Sequence, residues 1–218
     1  MRVNIYVEGP SDKSAMEVLL RPLIEHKNSQ GFVINFFAAP IGHNKESLIN
    51  IVPERAANTV LGYPNAIVIA VPDLYPKDKC FPHTNESELI DGITDRFKKS
   101  LSKKGIADDQ RYKERFKVFC FKHDLEALIL AAEDSLKSYL GISKFKLKWV
   151  KPVEEQDLNK PPKRIVENLF LNRGKDPYKD STDAPAILAG ADYHDIADKC
   201  PQCFKPFVDF LENLPNIG

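Results

Sequence analysis

The 218-residue sequence has no apolar run that approaches ~20 residues, so we expect no membrane-spanning helix. Its four cysteines are too few for a disulfide scaffold, and its start, Met1–Tyr6, lacks the long apolar region of a secretion signal. Neither sign of charge is in excess, because 31 Lys and Arg balance 31 Asp and Glu, which excludes a polybasic protein that coats nucleic acid. We therefore expect a cytoplasmic protein with reduced thiols and no membrane partner.

The balanced total hides an uneven distribution of charge. Residues 96–122 carry 10 basic and 3 acidic side chains, and residues 144–179 carry 10 basic and 5 acidic ones. Residues 123–143, between them, carry 1 basic and 4 acidic side chains. Solvated helix faces explain this pattern. The alternative is that two basic segments flank an acidic centre and hold an anionic polymer beside it.

Strand and helix patterns alternate through the first part of the chain. Predicted strands lie at residues 3–8, 32–37, 66–71 and 116–121, and the third is apolar on both faces, which is typical of a central parallel strand. Helical spacing of apolar residues follows each of them, with interruptions at Pro22 and Pro53. This alternation predicts an α/β fold with an open, mostly parallel sheet and helices on both faces.

The rest of the chain has a different pattern. Phe145, Leu147 and Trp149 alternate with lysines, which predicts an edge strand with one cationic face in water. Residues 151–162 are rich in Pro, Glu and Lys and predict a surface loop. Helices are predicted at 162–171, 184–190, 192–199 and 201–213. We therefore expect an α/β core over 1–143, with the edge strand and a helical extension over 144–218 packed on it as one domain.

Acidic side chains follow three of the predicted strands. Glu8 and Asp12 follow the first, Asp73 the third, and Asp124 and Glu126 the fourth. Sites in open α/β sheets form at the carboxyl ends of strands, where converging carboxylates repel one another unless a cation neutralises them. Oxygen ligands suit Mg²⁺ or Mn²⁺ and a phosphate substrate. Alternatively, these acids only favour helix starts or shape a turn, although Glu8 has no obvious folding role.

The segment Val7–Asp12 resembles the opening signature of Toprim domains, which occur in topoisomerases, primases and nucleases of the overcoming-lysogenization-defect type. The resemblance implies that Glu8 is a general acid/base or a metal ligand. It also implies that a later Asp-x-Asp motif binds Mg²⁺. In this sequence that motif is Asp73-Leu74-Tyr75, so a tyrosine stands at the second acidic position.

Almost the whole chain resembles a Toprim-like bacterial group, domain-of-unknown-function family 4276, in which an Asp-x-Tyr turn is usual. The resemblance implies an accessory protein that works with an AAA or SMC-like ATPase, often in a defence-type gene pair. The sequence itself has no G-x-x-x-x-G-K loop, so ATP is expected to be the partner's substrate. Further along the chain the resemblance is carried in order by His123–Leu128, Lys163–Ile165, Tyr178-Lys179, Asp183–Pro185, Cys200-Pro201, Phe204 and Leu211.

Basic and cysteine residues add weaker signals. Lys163, Arg164 and Lys179, with Lys13, are candidate phosphate ligands, and a solvated face explains them equally well. Tyr75 and His123 are expected to line the same pocket. One C-x-x-C and one C-x-x-H pair have the ligand spacing of a zinc site, but they lie far apart in the sequence, so we expect no zinc. These pairs are Cys200 with Cys203 and Cys80 with His83.

The leading interpretation is a Toprim-like, Mg²⁺-dependent phosphodiester-processing protein, a nuclease subunit that acts on nucleic acid beside an ATPase. Glu8 is the catalytic candidate, and the other four acids are the metal candidates. The alternative is a non-catalytic module that keeps the fold and uses the pocket to recognise a protein partner. Tyr75 in place of an acid favours the module, whereas the set of strand-end acids favours the enzyme.

Overall fold

A computed structural model, described for residues 1–40, 42, 44–75, 81–106, 109–174 and 176–214, contains one sheet of four parallel strands in the order β2-β1-β3-β4. A single bridge between Asp73 and Phe121 continues the pairing of β3 with β4. All side chains of β3 are buried, as the apolar pattern predicts. The predicted open parallel sheet is therefore confirmed. The strands are β1 (Arg2–Val7), β2 (Val33–Ala38), β3 (Ala66–Val71) and β4 (Phe116–Val118).

Helices cover both faces of the sheet, and in the described ranges none is long and apolar enough to cross a membrane. They are α1 (Pro10–Leu19), α2 (Arg21–Ser29), α3 (Lys45–Asn50), α4 (Val52–Gly62), α5 (Glu86–Ser102), α6 (Gln110–Lys113), α7 (Glu126–Ala131), α8 (Glu133–Leu140), α9 (Pro162–Leu171), α10 (Asp180–Leu188), α11 (Tyr193–Lys199) and α12 (Phe204–Glu212), with a 3₁₀ turn at Val153–Glu155.

Three of the predicted helices are divided in two. Pro22 and Pro53 lie in the first turns of α2 and α4, where the missing N–H of proline costs no helical hydrogen bond. The helix predicted from Leu125 onward breaks at Ala132, whose ψ of 50° is not helical. Each break lets the chain turn before the second helix begins, and α2 and α4 pack on β2 and β3.

Two apolar cores lie on the two faces of the sheet. One contains Val68 and Ala70 of β3 with side chains of α3, α4 and α5. The other contains Ile5 and Ile69 together with side chains of α1, α2 and α7 to α12, including Phe207. The helices that follow residue 144 therefore share a core with the strands.

Residues 144–149 do not form the predicted edge strand. Phe145, Leu147 and Trp149 are half-buried against the larger core, and the lysines that alternate with them are exposed. The rings of Phe145 and Trp149 meet edge to face, with centroids 4.8 Å apart. The strand prediction is wrong because alternation reports which side of an extended segment is buried. It does not show that a neighbouring backbone pairs with that segment.

The predicted surface loop at 151–162 carries a buried carboxylate, that of Glu154. Its oxygens accept backbone N–H bonds from Gln202 at 2.8 Å, Cys203 at 2.7 Å and Phe204 at 3.3 Å. These donors lie at the start of α12, where a helix leaves its first N–H groups without partners. Glu154 thus ties the last helix of the described chain to the loop that precedes α9.

Candidate functional site

The strand order reverses between β1 and β3, and the loops that leave these two strands diverge. The chain passes from β1 to β2 on one side and then crosses β1 to reach β3 on the other. A crevice at the carboxyl ends of such strands is where open α/β sheets bind ligands. Glu8 leaves β1 and Asp73 follows β3, so both acids stand at this crevice.

Glu8 links the two central strands. Its Oε1 accepts a hydrogen bond from the backbone N–H of Asp73 at 3.0 Å, and the Lys45 ammonium lies 3.9 Å from the same oxygen. Burial raises the pKa of Glu8 to about 7, although Lys45 and the hydrogen bond both oppose the shift. Glu8 therefore has a folding role that the sequence did not indicate, and it also exchanges a proton near neutral pH.

Asp12 caps α1 and belongs to the same group of acids. Its Oδ2 accepts the N–H of Gly9 at 2.8 Å, which is the structural role that the sequence left open for it. Burial raises the pKa of Asp12, the Gly9 bond lowers it, and the charge of Asp124 raises it further. The cap thus holds the carboxylate toward the other acids.

Asp73 faces three of the other acids. Burial holds its pKa well above the usual range, and the charges of Glu8, Asp12 and Asp124 raise it further. We call these four residues the acidic cluster. Three strands contribute to it, because Asp124 follows β4. The structure thus brings together the strand-end acids that the sequence singled out, with the exception of Glu126.

Glu126 adjoins the acidic cluster through Asp124. It begins α7, and its side chain is only 2% exposed. Burial raises the pKa of Glu126 to about 7, the Lys163 charge lowers it, and the Asp124 charge raises it. The half-buried Tyr178 faces the same carboxylate, and burial together with the Glu126 charge raises the pKa of Tyr178.

The donor set of the acidic cluster fits a hydrated divalent cation. Within the described residues, no three Asp, Glu, His or Cys side chains converge on one point. Mg²⁺ commonly takes one or two carboxylates and completes its shell with water and phosphate oxygens, so three converging side chains are not needed. A cavity of about 20 Å³ reaches Glu8, Asp12 and Asp73, and its other lining side chains are apolar: Val7, Met16, Val71, Phe121, Leu125 and Leu128. A single water needs roughly 10–15 Å³, so the cavity has room for one water-sized group beside the three acids.

A larger cleft of about 360 Å³ opens beside the acidic cluster, and we call it the side cleft. Asp124 belongs to both. The rings of Tyr75 and His123, which the sequence placed in the pocket, lie 6.0 Å apart on its wall. The residues that line it are Tyr75, His123, Asp124, Leu158, Pro161, Pro162 and Lys163.

Of the predicted phosphate ligands, Lys163 lies at the site. It lines the side cleft, and its charge lowers the pKa of both Asp12 and Glu126. Its ammonium stands 3.9 Å from Asp180, a long ion pair that leaves room for a second anion. Arg164 is the next residue on α9 and is exposed.

The other two candidates have different surroundings. Lys13 pairs with Glu17 one turn further along α1, at 2.8 Å, so its charge is directed along the helix. Lys179 is exposed at the start of α10, where its backbone N–H donates to Asp183 at 2.6 Å. The described contacts do not join either ammonium to the acidic cluster.

Two charged residues of the site were missed by the sequence analysis. Lys45, which is 6% exposed, faces Glu8, and Asp180 both pairs with Lys163 and raises the pKa of Asp12. Lys45 is the first residue of α3, where a cation opposes the helix dipole. A lysine in this unfavourable position indicates a role other than stabilising the helix, and the sequence alone could have shown it.

The residues of the hypothetical zinc site have other partners. Cys80 lies outside the described residues. The ring nitrogens of His83 face two backbone carbonyl oxygens, of Phe81 at 2.8 Å and of Leu74 at 3.3 Å. Cys200 and Cys203 are buried thiols whose pKa values burial raises. A neutral imidazole donates through one nitrogen, so His83 makes a hydrogen bond to one of these oxygens at a time.

Most of the first basic segment lies at the opposite end of the sheet. The Arg115 guanidinium donates to the carbonyl oxygens of Tyr63 at 2.9 Å and Pro64 at 2.7 Å, both of which precede β3. The reason is topological, since α5 must run back against the strands before β4 can begin parallel to β3. The expectation that residues 96–122 flank the carboxylates is therefore wrong for the part that precedes β4.

The fold and the strand-end acids define an α/β protein with a polar site at its switch point. Residues 7–212 match the family described as Domain of unknown function (DUF4276), and the chain belongs to that family. No curated protein sequence matches the chain.

Two solved structures resemble the chain in fold. The C-terminal region of the Burkholderia pseudomallei OLD protein is 14% identical, with a TM-score of 0.47, over 97% of each chain. The C-terminal region of the Xanthomonas campestris pv. campestris OLD protein is 12% identical, with a TM-score of 0.44, over 96% of this chain and 95% of that one. At these sequence identities and TM-scores, neither similarity supports a conclusion about the chemistry of this chain.

Proposed function

We propose that the chain is a Toprim-like, Mg²⁺-dependent phosphodiester-processing protein, the nuclease subunit of an assembly with an ATPase that acts against foreign DNA. The observation that carries the proposal is the acidic cluster at the switch point, with Lys163 and the side cleft beside it. A phosphate bound at Lys163 lies next to carboxylates that need a cation, and this pairing is what metal-assisted phosphoryl chemistry requires.

Each residue has a role in this proposal. Glu8, with a pKa of about 7, accepts the proton of the water that attacks phosphorus, and Lys45 stabilises its ionised form. The P–O bond to one sugar oxygen breaks in the same displacement, and the released oxygen takes a proton from solvent. Asp73 is the principal ligand of Mg²⁺ or Mn²⁺, and Asp12 or Asp124 supplies a second carboxylate, with Glu126 behind them and water completing the shell. When bound, the ion neutralises the phosphate oxygens. Lys163 and Arg164 bind the substrate phosphates, and Lys179 contacts the strand further from the site.

The ATPase partner rests on the family resemblance and on the chain's own sequence. Family members resemble accessory proteins of AAA or SMC-like ATPases, and this sequence has no Walker loop with which to bind ATP itself. Copurification of the native protein, followed by an ATPase assay of what accompanies it, tests this part. A preparation free of any ATPase would remove the partner from the proposal.

The substitution Asp73→Asn tests the metal role. It should abolish Mn²⁺ binding, measured by electron paramagnetic resonance of the free ion, and abolish cleavage of DNA or RNA. Thermal stability should be unchanged or raised, because the substitution removes repulsion from Glu8 and Asp12.

Asp134→Asn is the matched control, since Asp134 lies on α8 with its side chain 92% exposed. It should bind Mn²⁺ as the wild type does. Strong destabilisation by Asp73→Asn alone, with Mn²⁺ still bound, would identify Asp73 as a structural turn residue and contradict the proposal.

Tyr75 supports a second candidate function, a non-catalytic module that recognises a protein partner. It stands where Toprim nucleases carry a second acid, and its ring lines the side cleft beside His123. This candidate predicts Mn²⁺ binding without cleavage of any nucleic acid, even when the copurified ATPase is present.

A further inference from the structure

The side cleft differs chemically from the acidic cluster that it adjoins. Its wall is aromatic and aliphatic, and it is formed by Tyr75 and His123 together with Leu158, Pro161 and Pro162. Its volume of about 360 Å³ lies at the small end of the roughly 300–1,000 Å³ that ligand pockets span. A cleft of this size suits one flat ring system with its attached sugar, whereas a peptide strand needs a longer groove.

The charged residues at the cleft also have defined positions relative to its apolar wall. Lys163 lines the cleft and acts on Asp12 and Glu126, so it stands between the apolar wall and the acids. A phosphate attached to an occupant of the cleft can therefore meet Lys163 at the side of the acidic cluster. The cation complements the phosphate, and the apolar wall complements an uncharged ring.

The aromatic side chains of the wall belong to turns that leave the sheet together. His123 is only 6% exposed, and the half-buried Tyr75 presents the ring that an occupant of the cleft can reach. Tyr75 follows the pairing of Asp73 with Phe121, which anchors its turn to the end of β4. Rings held in this way lose little freedom when a base stacks on them.

We propose that the side cleft binds one unstacked nucleobase of a single-stranded nucleic acid, with the adjoining phosphate on Lys163. This inference rests on the proposed function and names the substrate class of the same site. A base inside a duplex is covered on both faces by its neighbours and cannot enter a walled cleft, whereas an unpaired base can stack on aromatic side chains. The protein therefore selects single strands, flaps or frayed ends over intact duplex.

The test is binding of the full chain to oligonucleotides of roughly ten nucleotides, within the ~4–16 that one binding fold typically covers. Each carries one 2-aminopurine, whose fluorescence falls on stacking, and Ca²⁺ replaces Mg²⁺ to prevent cleavage. Single-stranded DNA should bind more tightly than the same sequence as duplex, with quenching of the probe. A parallel series in RNA shows whether the sugar matters.

Substitutions locate the base. Tyr75→Ala should weaken single-strand binding roughly 5- to 160-fold and remove the quenching, the range expected for one base–aromatic stack. Tyr75→Phe keeps the ring and should bind as the wild type does. Leu158→Glu places a negative charge at a side chain that is 52% exposed, so it should weaken binding without unfolding the protein. Tyr63→Ala, at an exposed tyrosine near the opposite end of the sheet, is the matched control.

The outcomes separate this inference from the proposed function. Equal affinity for duplex and single strand, with no effect of Tyr75→Ala or Leu158→Glu, overturns the base site. If Mn²⁺ still binds and cleavage persists in that case, the phosphodiester function stands. Absence of any nucleic-acid binding together with loss of Mn²⁺ binding would overturn both.

Discussion

Glu126 shows what burial does to a single carboxyl group at this site. Its pKa is about 7 in the folded protein, compared with 4.5 in the unfolded chain. Between these values the folded state holds a proton that the unfolded state has released, so stability is lost as pH rises from about 4.5 to about 7. Above pH 7 the buried charge is fully present and the loss is complete.

Glu126→Gln should remove this pH dependence. The variant and the wild type should be similarly stable at pH 4, where the glutamic acid is neutral. At pH 8 the variant should be the more stable by about 3 kcal/mol. Urea unfolding at a series of pH values measures the difference. If the free energies of unfolding of the two proteins differed by the same amount at every pH, burial of the Glu126 charge would not be the cause of the pH dependence.

The sequence predicted some residues of the site and missed others for physical reasons. Glu8 and Asp73 were found because parallel strands bring their carboxyl ends to one edge. Lys45 was missed because it lies in the first turn of α3, several residues beyond the carboxyl end of β2 and not directly after it. The burial that raises the pKa of Glu8 depends on packing across the whole crevice, which no local pattern reports.

At the scale of an element, α12 depends on a residue far away in the sequence. Glu154 accepts the N–H groups of Gln202, Cys203 and Phe204, and the helix has no side-chain cap of its own. Hydrogen bonds to a charged group contribute about 1.5–3 kcal/mol each, and buried donors left without partners cost a similar amount.

Glu154→Ala should therefore lower the free energy of unfolding by about 3 kcal/mol or more. Glu154→Gln keeps one acceptor oxygen and should cost less. Glu155→Ala is the matched control, because Glu155 is exposed and accepts only from the Gln202 side chain among the described contacts. Its cost should stay below about 1 kcal/mol. An equal cost for both alanine variants would show that the buried cap does not hold α12.

Elements differ in how well their sequence predicts them. The all-apolar run of β3 is a strong signal, because a run of six residues rich in Val and Ile suits a strand covered on both faces and is too short for most buried helices. The alternation from Phe145 to Trp149 is ambiguous, because an extended segment lying on a core buries every second side chain without pairing. The cap by Glu154 is invisible in the sequence, since a glutamate in a polar loop carries no sign of a distant helix start.

At the scale of the whole molecule, the basic segments divide between the two ends of the sheet. Lys163 lies beside the acidic cluster and the exposed Arg164 follows it on α9, whereas Lys103 and Lys104 follow α5 toward the end where Arg115 contacts Tyr63. A strand bound at the site should therefore meet the first pair and not the second. The net charge of zero means that local contacts, and not the overall field, carry the binding.

The salt dependence of nucleic-acid binding tests whether the bound strand contacts the basic residues at one end of the sheet only. Each neutralised phosphate releases counterions and adds roughly 0.7–0.9 to the slope of log affinity against log salt. The double substitution Lys163→Ala and Arg164→Ala should lower that slope by about one to two for single-stranded DNA, measured by fluorescence anisotropy from about 50 to about 300 mM salt. Lys103→Ala with Lys104→Ala removes the same charge at the far end and should leave the slope unchanged. If both pairs lower the slope equally, the strand runs over the whole surface and the acidic cluster is not where it binds.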